Sequence, residues 1–288
     1  MTSKSVWAVK CSRALACGFS VLILSVSAQA ADYDLQKMKY DVYAGGIHAV
    51  KAEMVLDYTQ QGRYSMIFGA ETRGLLGSLA PWVGTFESNG WILDNRNLVP
   101  QLHESVAMWR DEKEVKTYNY DKEKGFIDIT TTYVGKKPKT RVPEAELTLG
   151  TTDALTATML VMEKVSDGGN CEGESEVYDG KRRYKLIFRH KQFVMLEKTR
   201  YNAYSGPAVE CTAEVEPIAG RWHKKPRGWL SIQEQGRERG TMPTVWMAQV
   251  VPNAVVVPVR VRVKTAYGTL FMHLTHYESG ETVLQPLD

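Results

Sequence analysis

Residues 48–58, "HAVKAEMVLDY", decide how this chain is read. His48, Val50, Ala52, Met54, Leu56 and Tyr58 fall on one side of a two-residue repeat, with Lys51, Glu53 and Asp57 on the other. That period belongs to a half-buried β-strand, because successive side chains leave opposite faces of a sheet. The same period returns at Tyr64, Met66, Phe68 and Ala70, at Tyr184, Leu186 and Phe188, and at Trp229 with Ser231. It is most regular where Val255, Val257, Val259, Val261 and Val263 oppose Arg260, Arg262 and Lys264. Pro258 lies in this run and cannot donate to a ladder, so the strand is expected at a sheet edge or at a bulge.

Turn residues punctuate the runs. Gly45-Gly46 and Gln61-Gly62 separate strands, and Asp179-Gly180 between "ESEVY" and "KRRYKLIF" is a two-residue hairpin signal. Further strands are expected at 84–93, 101–109, 112–121, 125–134, 192–202, 208–216, 243–251 and 267–277. Loops this short imply antiparallel order. One segment departs from the pattern. In "TTDALTATMLVMEKVSDGG" (151–169), Leu155, Met159 and Met162 follow helical spacing, with Ala154, Thr158, Val161 and Val165 beside them. Thr152 or Asp153 can cap this helix and Gly168-Gly169 ends it. It is expected to be the single substantial helix, packed on a sheet by its wide apolar face.

The N-terminus reads as an export signal. Lys4, Lys10 and Arg13 precede the apolar run Ala14–Val26, and Ala28-Gln29-Ala30 fits the small-x-small cleavage pattern. An uncleaved anchor is the alternative, although an apolar run thirteen residues long falls short of the roughly 20 that span a bilayer. The expected organisation is a signal peptide over 1–30 and one β-rich periplasmic domain over 31–288. Lys4, Lys10 and Arg13 also account for the whole formal charge of +3, which leaves the remainder formally neutral. A nucleic-acid partner is therefore not expected, since it would call for a basic footprint. Beyond the signal, Cys171 and Cys211 are the remaining cysteines. An even pair in an exported chain reads as a disulfide; redox or metal-binding thiols are the alternative, without a Cys-x-x-Cys or a neighbouring His to support them.

These stretches resemble a known family. "YDVYAGGIHAVKAEMVL", "ETRGLLGSLAPWVGTFESNGW", "TTDALTATMLVME", "VYDGKRRYKL" and "VPVRVRVKTAYGTLFMHL" are similar to successive segments of the domain of unknown function 3108 family of exported Gram-negative envelope proteins, over roughly 38–277. The resemblance implies a periplasmic, all-β fold: a curved antiparallel sheet or open barrel with one inserted helix, similar to periplasmic lipoprotein carriers. It implies no activity and carries over no catalytic residue. The cysteine pair does not belong to the general pattern.

Motifs for chemistry are sparse. Gly-x-Ser-x-Gly and Ser-x-x-Lys do not occur after the signal, and Ser78 has no spaced partner. His273 and His276, three apart on a strand, are expected to point to opposite faces, against a metal role. Asp111, Glu112 and Glu114 among Arg110, Lys113 and Lys116 read as a solvated hairpin. Glu172, Glu174 and Glu176 share one strand face, either a solvated face or an acidic strip. No cofactor is expected.

Two stretches invite a binding reading. "GRWHKKPRGW" (220–229) interleaves Arg221, Lys224, Lys225 and Arg227 with Trp222 and Trp229, either as a headgroup- or glycan-binding loop or as a solvated loop anchored by its tryptophans. "RGLLGSLAPWVG" (73–84) sets Leu75, Leu76, Leu79 and Trp82 among three glycines and Pro81. It is expected to be an irregular loop in which Trp82 anchors to the interior and the leucines form a partly exposed lip, the alternative being a buried plug. The leading functional expectation is a non-enzymatic periplasmic protein binding a lipid-like or other apolar ligand or partner, compatible with peripheral membrane contact. The runner-up is a scaffold for envelope integrity acting through protein contacts, and third is a hydrolase.

Overall fold

The computed structural model describes residues 35–225, 228–265 and 268–287. The predicted signal peptide and the boundary at residue 30 lie outside these residues. Strands form where the sequence alternates. The first run comprises β1 (Leu35–Ala44), β2 (Ile47–Asp57), β3 (Arg63–Thr72), β4 (Trp82–Ile92), β5 (Leu98–Trp109), β6 (Glu112–Asp121), β7 (Gly125–Tyr133) and β8 (Lys139–Arg141). The second comprises β9 (Gly173–Tyr178), β10 (Arg182–Leu196), β11 (Gly206–Gly220), β12 (Thr244–Ala248), β13 (Val257–Thr265), β14 (Gly268–Ser279) and β15 (Thr282–Leu284). Helices α1 (Gly74–Leu79), α2 (Ala145–Thr148), α3 (Ala154–Ser166) and α4 (Trp229–Glu238) interrupt them.

Among the described residues the strands form one sheet. The chain meanders outward from β1 to β8, crosses through α2 and α3, and meanders back from β9 to β14, which pairs antiparallel with β1. The edge strands β8 and β9 are not paired with each other. Side chains bridge the seam instead: Arg141 donates to the Gly180 carbonyl and, at 3.0 Å, to the Tyr178 hydroxyl, and Tyr118 donates to the Asp179 carbonyl at 3.0 Å. Tyr118, Tyr120, Ile129 and Tyr178 pack as a small cluster behind them. The fold is thus a curved, open antiparallel barrel.

The predicted helix is α3, and Asp153 is its cap, accepting from Leu155 N and Thr156 N at 2.9 Å. It lies against β4, β5, β9 and β10, where Met159 and Met162 are wholly buried with Leu56, Met66, Leu274 and Tyr277. Each such side chain contributes roughly 1.5–3 kcal/mol of burial. Cys171 and Cys211, both buried, form the expected disulfide across a 6.3 Å Cα separation, tying the segment after α3 to β11.

Several expectations are corrected. Trp229 and Ser231 belong to a second substantial helix, α4, not to a strand. Strand β12 pairs only with Val209–Thr212 of β11, so the backbone beyond needs other partners. Gln233 of α4 supplies them, accepting from Val215 N at 2.8 Å and donating to Val215 O at 2.7 Å. The strand expected at 192–202 is the end of β10, which runs unbroken from Arg182 to Leu196 through a bulge at Lys191. Of the two places expected for Pro258, an edge or a bulge, it takes the bulge: it lies in the interior of the sheet, and the β12–β13 register shifts beside it, between Trp246 and Met247.

Candidate functional site at the barrel mouth

Helix α1 makes the first part of the site. "RGLLGSLAPWVG" is not wholly irregular: Gly74–Leu79 form a short helix, and Thr72 ties its two flanks together. The Thr72 hydroxyl donates to Ala80 O at 3.0 Å and accepts from Trp82 N at 2.9 Å. Residue 77 is suited to glycine, because the β-carbon of any other residue would lie 2.9 Å from the Thr72 carbonyl oxygen. No residue of α1 is buried. Leu75, Leu76 and Leu79 are 64%, 40% and 68% exposed.

Trp82 anchors this lip. It begins β4 on the face that Gly84, Phe86 and Ser88 continue inward, and Ser88 is wholly buried. The indole lies over Gly84, where a β-carbon would meet its Cζ2 at 2.5 Å and the Phe86 ring at 3.1 Å. Trp109 stands opposite Trp82 in register and is 49% exposed. Their neighbours Val83 and Met108, also paired, are exposed on the other face. Ile47, Tyr133 and Val134 add exposed apolar surface at the same end of the sheet. Arg110, Lys113, Lys136 and Lys137 accompany them and outnumber Asp111 and Glu112. Tyr133 donates to Glu114 at 2.6 Å, which together with Lys116 holds the Glu114 carboxyl below its ordinary pKa against the opposing effect of burial.

Below the mouth lies a chamber of about 220 Å³, lined by Phe86, His103, Lys116, Tyr118, Asp153 and Tyr184. Burial raises the hydroxyl pKa of Tyr118 and Tyr184, reinforced by Asp179, and keeps both protonated. At its floor, Ser88 Oγ donates to Asp153 at 2.6 Å and lies 2.7 Å from His103 Nδ1. Asp153 also accepts from Thr156 Oγ1 at 2.6 Å, besides its two backbone donors. In a nucleophilic triad histidine stands between serine and carboxylate and takes the serine proton. Here the serine hydroxyl donates a hydrogen bond to Asp153, the one histidine nitrogen Nδ1 faces both the serine and, at 3.5 Å, the carboxylate, and the serine is wholly buried. The arrangement pegs β4 and β5 to the first turn of α3.

The other sequence candidates are dispersed. In the basic-aromatic loop, Trp222 is pinned by its Nε1–H to Ala219 O at 2.9 Å, with Arg182 above its ring. Arg221, Lys224, Lys225 and Trp229 are exposed, and Arg227 lies outside the described residues. Glu172 accepts from His190 N, Glu174 pairs with Lys185 and Glu176 with Arg183, so the acidic strip is spent on cross-strand contacts. Ser78 is exposed and donates only to Gly74 O. His273 and His276 do not point to opposite faces as expected. A bulge at Thr275 places them opposite Asp41 and Lys39, on one face. Trp109, Met108, Val83 and Ile47 went unread as rim residues, although the apolar ends of strands beside charged turns were a signal for them.

A family model described as "Protein of unknown function (DUF3108)" matches residues 39–275. No curated protein matches the chain. Among solved structures, a beta-barrel-like protein of the domain of unknown function DUF1849 from Brucella abortus is similar at 9% identity and a TM-score of 0.45, covering 88% of this chain and 100% of that one.

Proposed function

From the premise that the chain belongs to the DUF3108 family, whose description assigns no activity, we propose a non-enzymatic, periplasmic envelope protein whose mouth rim docks on a lipid surface. The observation that carries this reading is the exposed lip, Leu75, Leu76 and Leu79, held above Trp82 and beside Trp109. At 40–68% exposure each leucine forgoes part of the roughly 1.5–3 kcal/mol of full burial, which a lipid or other apolar surface would restore. Tryptophans and lysines flanking an apolar edge suit a membrane interface, and the excess of basic residues suits anionic headgroups. The bridge between Cys171 and Cys211 supports an oxidising compartment, as does the export-type N-terminus.

The interior favours surface docking over carriage of a lipid inside. Helix α3 fills the barrel, and the 220 Å³ chamber falls below the roughly 300–1,000 Å³ of typical ligand sites. That filling also supports the second reading, an envelope scaffold in which the same lip meets a protein.

Vesicle cosedimentation tests the proposal. Wild type is expected to bind vesicles containing phosphatidylglycerol, and Leu76→Asp with Leu79→Asp to bind at least about tenfold more weakly while keeping its melting temperature. Undiminished vesicle binding by the folded double variant would exclude the lip as the docking surface. Unfolding of that variant would make the stretch ordinary core.

A further inference from the structure

A second constellation lies on the outward face of β12–β14 and involves none of the lip leucines. Trp246, Arg260, His273 and Asp41 are consecutive register partners across β12, β13, β14 and β1, so all four share that face. The end of β10 and the segment after it overhang this face and leave an open cleft of about 730 Å³, whose lining includes Arg260, His273, Phe271, Tyr201, Arg200 and Met195.

The Arg260 guanidinium is held between two rings, 5.0 Å from the centroid of Trp246 and 5.2 Å from that of Phe271. Its Nε is buried and unbonded, and no carboxylate among the described residues lies within ion-pairing distance. The acids nearby are committed or peripheral. Asp41 contacts His48 at 3.1 Å, Glu210 bonds Lys191 and Gln192, and Glu197 is exposed on the cavity edge. His273 Nδ1 is likewise buried and unbonded. Burial and the Arg260 charge hold the imidazole pKa down to about 4, so the ring is neutral at pH 7. Apolar and aromatic groups line one part of the wall, with Thr199, Arg200 and Asn202 on the rest: Tyr201 stacks on His273 at 6.1 Å, Phe271 at 5.7 Å, and Met195 is exposed at the edge.

A half-buried guanidinium without an anion is an incomplete arrangement, since desolvation is costly and the planar fork matches carboxylate and phosphate oxygens. We propose that this cavity binds an amphiphile with a single anionic head, a carboxylate or a phosphate monoester. The head sits on Arg260 and His273, and the apolar body lies along Phe271, Tyr201 and Met195. None of Leu75, Leu76, Leu79 and Trp82 lines it.

Calorimetric titration below the micellar concentration tests this with dodecanoate, dodecyl phosphate and the uncharged dodecyl maltoside. Wild type is expected to bind at least one of the two anions and to prefer it over the maltoside; which anion binds identifies the source of the head. Arg260→Gln is expected to weaken that binding at least about tenfold. Tyr201→Ala, on the exposed segment, is expected to weaken it as well, and decides the matter if the Arg260 variant fails to fold. Leu76→Asp with Leu79→Asp is expected to bind the amphiphile as wild type does. The proposal is overturned if neither anion binds, if the maltoside binds equally well, if both cavity variants bind normally, or if the rim variant loses the binding.

Discussion

The indole of Trp82 lies over Gly84 so closely that a β-carbon on residue 84 would come within 2.5 Å of the ring. This contact couples the exposed lip to the interior face of the sheet. Gly84→Ala is expected to push the indole outward and destabilise by about 1–3 kcal/mol, the range for overpacking. In a Trp82→Ala background the same substitution should lose most of its effect, because the clash has gone. Urea denaturation of the four proteins in this cycle checks the coupling. An equal effect in both backgrounds would show that the ring does not occupy that seat.

Asp153 gathers four donors, from Leu155 N, Thr156 N, Thr156 Oγ1 and Ser88 Oγ. Asp153→Ala removes a helix cap worth about 0.5–2 kcal/mol and strands buried hydroxyls at about 1–3 kcal/mol. A loss of about 3 kcal/mol in chemical denaturation is expected, and a smaller one for Asp153→Asn, which keeps one acceptor oxygen. The buried Ser88 should remain unmodified by a fluorophosphonate, as judged by mass spectrometry. Labelling at Ser88 would point back to hydrolysis.

Reduction of Cys171–Cys211 opens a loop with a sequence separation of 40. In the chain-entropy model that closure stabilises by about 4 kcal/mol. The melting temperature is therefore expected to fall by roughly 10 °C on reduction, with the far-ultraviolet circular dichroism unchanged at 20 °C. An unchanged melting temperature would mean that the bridge does not constrain the unfolded chain.

Glu163, buried on α3, lies 3.4 Å from Arg96. Burial, with Asp167 adding to it, raises its carboxyl pKa above the ordinary value despite Arg96. As pH rises, the unfolded chain therefore gives up this proton before the folded one does. The stability held by protonated Glu163 is complete below the ordinary value of about 4.3 and is lost as pH climbs through the folded-state pKa. Glu163→Gln is expected to be more stable than wild type at pH 7 and to lose that advantage below about pH 4. Arg96 keeps Asp167 as a partner at 2.7 Å in the variant. Denaturation midpoints for both proteins across pH 4–8 provide the check.

The exposure of the leucines in this stretch was legible in the sequence, because Leu75 and Leu76 are adjacent and glycines flank them. The helix within it was not, since a six-residue helix carries too few positions to show a period. Helix α4 was missed for a related reason. Its sequence "WLSIQEQGRE" is held by the pairing of Gln233 with Val215, a contact 18 residues away in the chain. Faces were misassigned at two bulges: the extra residue Ala49 turns His48 away from the face of Val50, and the extra residue Thr275 brings His276 to the face of His273.

By itself, then, the sequence determined the antiparallel β architecture, the place and cap region of α3, and the cysteine pair of the β-rich region. Those are local properties: alternation, capping residues and composition act within a few positions of one another. The tertiary structure alone decided that β14 closes on β1, that the seam between β8 and β9 is bridged by Arg141 and Tyr118, and that Trp246, Arg260 and His273 meet on one face. Each depends on register between strands far apart in the chain, and register is set by the whole sheet packing around α3, with bulges whose positions no local pattern reveals.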